Sequence, residues 1–559
     1  MLRNGKPYTF KGKGISDTLD GSNVFAGAMA LAINLIPDPS TDDQWVCRPA
    51  ATALTQTLGD PWSLGWSSGF GPLASASNGL ITAGLVVGSR LYGMMSSYLF
   101  GGGDDVPFCF DTSTNTFVAI SGVLSTNVPA SLQPTGDWIP PTMTLVGSKI
   151  MVCHQGFTGA GGHYVGQIDI TTPATPAWSA GNMGGALSFT SPPYACGQFN
   201  GRAYYLVNPS GGQPAAIFSD SLNPLNATAG TQILTFGDNT LLTATAQLPL
   251  SAQQGGVIQA LLVFKGASNI YQITGDPVTN NLAVNALNAA TGTLAPNSIS
   301  VTPKGIAFIA SDGLRLIDFF GRVSDPIGLA GSGINVPFIN AVFPSRMAGQ
   351  YGVNVYRISV QNGAALGSPT QEYWYDFARN RWSGPHSLPY GMIFLVNNFF
   401  IGQATNGYGT LLQSFSTPMS SSVYVESGTQ MTFAWQTSML PDVEDMSEHV
   451  MVETALMMAL NPGDSYNASA VDQNNSVFDT VQLQTTGSQT KWGQFKWGQA
   501  PWLGSIPALA SQWLEWHQPI VFNRLAVAVS GPSSGNVRIG NLRLRYQQLG
   551  YLQQTAVGA

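Results

Sequence analysis

One unit recurs along this chain: a strand-like run closing on an acidic or polar residue, a short polar turn, and a return run. The fullest copy is Gln371–Pro385. There Tyr373 and Tyr375 alternate with Trp374, as on a half-buried strand, Asp376 to Asn380 supply turn chemistry, and Arg381-Trp382 opens the return. A strand, a tight polar turn and a strand make a β-hairpin. The same plan reads at Phe108–Val118, Val165–Ser179, Ala216–Asn226, Ile270–Val284 and Leu314–Ser324. Most copies follow a further strand-like run, such as Lys149–Cys153, Gly201–Leu206, Gln259–Phe264 or Gly305–Ile309. The spacing is roughly 40 to 60 residues, near the period of propeller blades. A single four-stranded sheet cannot cover its own faces, whereas sheets stacked about an axis bury them. The alternative is a run of unrelated hairpins in a large sandwich.

Composition points the same way. Gly 64 and Pro 35 are a heavy load of turn formers, and the hydrophobic share of 44% supplies a large core. That mixture suits many short strands and disfavours long helices. At 559 residues the chain predicts two or three domains. Charged residues make up only 9%, against about 25% in ordinary domains, as on a surface largely covered by neighbours. The net charge is −7 and Lys and Arg form no run, which disfavours tight electrostatic capture of nucleic acid. The balance suits a surface that DNA slides past.

We read three regions: an N-terminal arm (1–51), a β-propeller-like domain (52–415) and a C-terminal β-sandwich domain with a tail (416–559). The arm carries an apolar stretch, Ala26–Ile36, that is helical by propensity and a strand by its setting. Six or seven blades are expected, the last (Phe399–Gly402, Thr410–Gln413) closed by a strand from the arm, which removes two sheet edges. Thr231–Gln254 reads as an insertion or a partner-facing loop. After a linker at Thr417–Ser422 come longer runs, Met431–Thr437, Val450–Leu460, Val477–Thr485, Ile520–Val529 and Val537–Gln547, as in a sandwich. Val450–Leu460 has helix-forming Met, Ala and Leu, but its setting favours strand. Trp492, Trp497 and Trp502 lie among glycines in Thr490–Pro507 and are candidates for an inter-subunit contact, since Trp is enriched at hot spots. Aromatic packing beneath a loop is the competing reading.

The order Lys-Gly-Ile-Ser-Asp (13–17), Asn-Leu-Ile-Pro-Asp (34–38) and Cys-Arg-Pro (47–49) resembles the N-terminus of the tail tube proteins of short-tailed bacteriophages, the hub, nozzle or packaged-DNA stabilisation proteins. Gly305–Phe308, Asp312–Leu314 and Gly321–Ser324 are similar to that family's late propeller segment, and Trp374–Asp376 with Arg381-Trp382 to its next blade. The resemblance covers the arm and the propeller in outline. It implies a structural virion protein of the tail, made in the host cytoplasm, that forms a ring of about six copies. That ring would sit below a portal or adaptor, touch tail fibre, needle or other tail proteins, and pass genomic DNA without reading its sequence. The alternative is a glycan-binding, lectin-like receptor-recognition protein.

Chemical motifs are sparse. Cys47, Cys109, Cys153 and Cys196 form no CxxC pair and read as buried thiols. Glu448, His449 and Glu453 cluster without a complete metal-ligand motif. Gly101–Asp105 lacks the helix that would hold phosphate. Gly65–Gly69 and Gly531–Gly535 match G-x-S-x-G outside the strand-to-helix context of a nucleophile elbow. Ser311–Gly313 is a fragment of an Asp-box, and the arginine cluster of a sialidase is not apparent. The sequence therefore predicts no enzyme, no cofactor and no metal. It also predicts no membrane span, since Val24–Ile36 is too short and contains Asn34.

Overall fold

The computed structural model describes residues 6–11, 29–39, 41, 43–57, 80–96, 104–130, 140–208, 212–251, 257–277, 281–287, 290–327, 344–361, 370–386, 390–404, 410–415, 424–426, 429–440, 447–461, 463–472, 474, 476–484 and 509–549. Among these residues the chain is all-β. Its helical elements include short 3-10 turns at 160–162, 296–298 and 344–346.

Seven consecutive stretches of the middle region form sheets, here lettered in chain order. Sheet A is Leu80–Val87, Arg90–Ser96, Asp105–Asp111 and Thr116–Val118. Sheet B is Thr142–Val146, Lys149–Cys153, Val165–Asp169 and Ala177–Gly181. Sheet C is Ala195–Phe199, Arg202–Val207, Ala215–Phe218 and Ile233–Thr235. Sheet D is Leu242–Ser251, Val257–Lys265, Asn269–Thr274 and Ala283–Ala286. Sheet E has three strands, Ser300–Thr302, Gly305–Ala310 and Gly313–Ile317. Sheet F is Ala348–Gly352, Val355–Gln361, Thr370–Asp376 and Arg381–His386. Sheet G is Tyr390–Val396, Phe399–Ala404 and Thr410–Phe415, with Thr52–Thr57, just past the expected end of the arm, as its fourth strand.

A, B, C, D and G are separate four-stranded antiparallel sheets in a propeller arrangement. Five such blades stand apart, where the sequence predicts six or seven. The difference lies in 300–386, where E has three strands and F is fused into a nine-stranded sheet.

Local chemistry explains the regularity. In A, B, C, E, F and G two residues join the first and second strands. Two-residue hairpins favour residues that accept positive φ. Asn200-Gly201 (φ 49° and 70°) and Asn397-Asn398 (φ 48° and 65°) both meet that demand. Alternation along each strand then feeds both faces. Tyr205 and Val207 of sheet C pack toward Met151 and Val165 of B. Tyr204 and Leu206 pack toward Leu261 and Val263 of D. Leu262 and Phe264 of D meet Ile306 and Phe308 of E, and Ile150 and Val152 of B meet Leu91 and Phe110 of A.

Sheet E lacks a fourth strand but not a cover for its edge. Ser324 N–H donates to Leu316 O at 2.8 Å and Ile327 N–H to Leu314 O at 2.7 Å. The segment after Gly321 thus takes that place irregularly.

The rest of the chain builds two larger sheets. In one, Arg381–His386 of sheet F continues through Met29–Ile33, Thr432–Thr437, Ala526–Pro532, Ser465–Val471 and Val477–Gln484. In the other, His449–Ala459 and Arg538–Gln548 form the centre, with Lys6–Phe10, Leu35–Pro37, Trp45–Cys47, Ala510–Trp513 and Val521–Phe522 around them. Phe10, Trp45, Trp435, Tyr466, Leu456 and Leu542 belong to one buried cluster drawn from both sheets.

Several expectations are corrected or refined here. Thr231–Gln254 is no insertion: it holds the outer strand of C and the inner strand of D. The return strand expected at Leu225-Asn226 is not there, since Asn226–Ala227 pairs in parallel with Gly184–Gly185. Ala26–Ile36 and Val450–Leu460 are strands where they are described.

Candidate functional site

Two places concentrate polar chemistry. The first is a cavity of about 340 Å³ where the first strands of the seven sheets converge. Its lining includes Gly84 of A, Thr142 and Thr144 of B, Gln198 of C, Thr245 and Gln247 of D, Ser300 and Val301 of E, Gln350 of F and Phe394 of G. Converging first strands present their backbone edges to this space, and side chains from neighbours satisfy several of those groups. Cys196 N–H donates to Thr142 Oγ1 at 2.9 Å, and Thr245 Oγ1 donates to Cys196 O at 2.9 Å. Tyr351 N–H donates to Ser300 Oγ at 3.0 Å, and Ile81 N–H donates to Gln403 Oε1 at 2.6 Å. Buried backbone polar groups need such partners, so hydroxyls and amides at these inner positions serve as inter-sheet stitches. The described lining contains no Asp, Glu, His, Lys or Arg.

The second place is a polar seam where the arm meets sheet F and the C-terminal sheets. Arg48 is fully buried. Its Nε donates to Asn34 Oδ1 at 3.0 Å, and its two terminal nitrogens donate to the Glu426 carboxylate at 3.2 and 3.1 Å. Asn34 Nδ2 in turn donates to Thr432 O at 2.7 Å. Asn34 takes φ 55° between two strands, a left-handed position that Asn tolerates better than most residues. Asp38, also buried, accepts from Arg538 Nη1 at 2.9 Å. On the sheet F side Arg357 pairs with Glu372, both wholly buried, and the guanidinium lies 4.5 Å from the ring centroids of Trp374 and Phe400.

His386 borders the same seam. Its Nε2 is 3.2 Å from Ser383 Oγ, and its ring meets Trp374 edge-on at 5.0 Å. Burial pushes its pKa well below the usual 6.5, and the Arg48 and Arg357 charges push it the same way. Below pH 6.5 the unfolded chain therefore binds a proton here that the folded chain refuses, and stability falls with falling pH. The expected slope from this group is about 1.4 kcal/mol per pH unit. Urea midpoints between pH 7 and pH 5 should show it, and His386→Gln should remove it.

A further buried pair crosses from A to B. His154 Nδ1 accepts from Gly156 N–H at 2.7 Å, so Nε2 carries the proton and donates to Asp105 Oδ2 at 2.7 Å.

The residues singled out in the sequence separate here. Trp492, Trp497 and Trp502 lie outside the described residues. His449 is buried against Phe522 and Tyr546, and Glu453 pairs with Arg545 at 3.1 Å. No group of three His, Cys, Asp or Glu suited to a metal occurs among the described residues. All four cysteines are buried free thiols, and burial pushes those of Cys47 and Cys109 up to about 12. Asp312 of the Asp-box fragment is held by Arg315. Gly531 lies in a strand, not at a strand-to-helix turn. No described helix is long and apolar enough to cross a membrane.

No family model and no curated protein matches the chain. Solved structures similar to it include a Trypanosoma rangeli sialidase in complex with 2,3-difluorosialic acid (9% identity, 78% of this chain and 93% of that one, TM-score 0.30). A puromycin hydrolase S511A mutant is similar at 10% identity, over 69% of this chain and 62% of that one, with TM-score 0.38. AofleA from Arthrobotrys oligospora is similar at 8% identity, over 66% and 92%, with TM-score 0.31. These comparisons correct the expectation of no enzyme: sialidases and a hydrolase stand among the similar structures, so that exclusion is withdrawn. At these identities and TM-scores they assign no activity to this chain.

Proposed function

We propose that this chain is a ring-forming subunit of the tail tube of a short-tailed bacteriophage, a wall element through which packaged DNA is retained and then passed. The arm supports this reading most directly. The residues that carry the family resemblance, Asn34, Asp38 and Arg48, are buried polar groups bonded to Thr432, Arg538 and Glu426. A motif in those positions has a mechanical use: it ties the first strands of the chain to the last ones.

In this reading sheets A to G are the seven blades of one ring, with E completed by its irregular outer segment and F shared with the neighbouring sheet. The cavity lined by first strands of all seven favours that count. The two larger sheets with their common core act as a sandwich that presents the subunit to its neighbours. A net charge of −7 keeps DNA phosphates from adhering as they pass.

Electron cryomicroscopy of the tailed particle that carries this chain tests the proposal. The expected result is a ring of copies on the tail axis, with the propellers in the wall of a central channel. Density confined to peripheral appendages, or no density for the chain in the particle, overturns it.

A further inference from the structure

The axial cavity has a chemistry that a wall element does not require. Its volume of about 340 Å³ falls within the range of about 300–1,000 Å³ usual for small-molecule sites. Four side-chain amides line it, those of Gln198, Gln247, Asn297 and Gln350. Three are held at the nitrogen end. Gln247 Nε2 donates to Gln198 O at 2.6 Å, Asn297 Nδ2 to Thr82 O at 3.3 Å, and Gln350 Nε2 to Tyr351 O at 3.0 Å. An amide tied through its nitrogen has its orientation set, and its oxygen is the end left to accept. The oxygens of Gln247, Asn297 and Gln350 accept no hydrogen bond among the described residues.

We propose that this cavity binds a neutral, hydroxyl-rich ligand, of the class of one or two sugar units. Sugar hydroxyls donate to the three amide oxygens. Met143, Ile299, Met392 and Phe394, which also line the cavity, offer apolar surface to the C–H face of a pyranose. Charge sets the selectivity. With three oriented acceptor oxygens and no cation in the described lining, a carboxylate or phosphate would lose its hydration without gaining a charged partner. The cavity therefore prefers uncharged saccharides to sialic acid or sugar phosphates. The proposal is independent of whether the chain builds a tube, because it concerns one subunit's own axis.

Ligand-observed saturation-transfer NMR on the full chain tests it with methyl glycosides of glucose, galactose, mannose and rhamnose. N-acetylneuraminic acid and glucose 6-phosphate serve as charged counterparts. A second arm titrates a neutral bacterial polysaccharide, freed of lipid, by calorimetry, to separate free sugars from a surface glycan as the source. The expected result is saturable binding of at least one neutral probe, at least tenfold weaker binding of both charged ones, and at least tenfold loss in Gln247→Leu. Gln247 is exposed, and sheets C and D stay joined without it through Thr245 Oγ1 and Cys196 O. Gln350→Leu, on sheet F rather than sheet D, is the second variant, and near-ultraviolet circular dichroism checks both. Binding by no neutral probe, equal binding of the charged sugars, or unchanged affinity in both folded variants overturns the proposal.

Discussion

Deleting residues 1–57 is expected to abolish folding rather than trim an appendage. Those residues supply strands to four places at once. Lys6–Phe10 pairs with Leu542–Tyr546, and Met29–Ile33 pairs with Thr432–Thr437 on one side while bridging Gly384 on the other. Trp45 and Val46 pair with Ile539 and Arg538, and Thr52–Thr57 closes sheet G. Phe10, Met29, Leu35 and Trp45 are all essentially fully buried. At about 1.5–3 kcal/mol for each large apolar side chain, their loss alone is of the order of 6–12 kcal/mol. A whole domain is stable by only about 5–15 kcal/mol. The deletion also strips Glu426 of Arg48 and leaves several strand edges bare, which invites aggregation. The measurement is soluble yield, followed by circular dichroism and limited proteolysis of whatever is soluble. Full-length-like yield and protection would show that the arm is dispensable.

That dependence was only partly legible in the sequence. The hairpins at Phe108–Val118, Val165–Ser179, Ile270–Val284 and Gln371–Pro385 are the third and fourth strands of sheets A, B, D and F. They were readable because turn chemistry and alternation are local signals. Closure of the last blade by an N-terminal strand was also expected, because an unpaired last blade needs one, but the strand is Thr52–Thr57, just past the arm's expected end at residue 51. The pairing of Lys6–Phe10 with the far end of the chain was not, since no local pattern encodes a register across more than 500 residues. Thr231–Gln254 misled because a short outer strand and a long inner one, separated by polar residues, look like one mixed loop. The axial cavity was invisible for a related reason. Each sheet contributes a few small or amide residues, such as Gly84, Gln198 and Gln247, and none is distinctive where it stands. In the sequence Asn34 reads as a polar interruption of an apolar stretch, and both Asn34 and Arg48 carry a family resemblance. Their physical meaning lies in their burial together, which the sequence does not display.

The buried pair Arg357–Glu372 should give the largest single-residue effect, and its energetics should be strongly non-additive. Both side chains are completely buried, and Glu372 Oε1 accepts from Arg357 Nε and from Trp374 Nε1, the latter at 2.6 Å. The guanidinium is also stacked between Trp374 of sheet F and Phe400 of sheet G, so one cation fastens two sheets. Arg357→Met keeps much of the apolar contact but leaves a carboxylate in a dry site. The expected cost is about 3–5 kcal/mol, most of it the penalty of an uncompensated buried charge. Glu372→Gln keeps an acceptor for Trp374 but strands the guanidinium, and should cost nearly as much. In the double variant neither charge remains, while the Trp374 bond and the packing persist. Its cost should therefore fall well below the sum of the two, by up to about 3 kcal/mol of coupling. Urea unfolding of the three variants, followed by tryptophan fluorescence, measures this cycle. Additive costs would mean that the two groups are solvated independently, and that the seam between F and G is held by apolar packing alone.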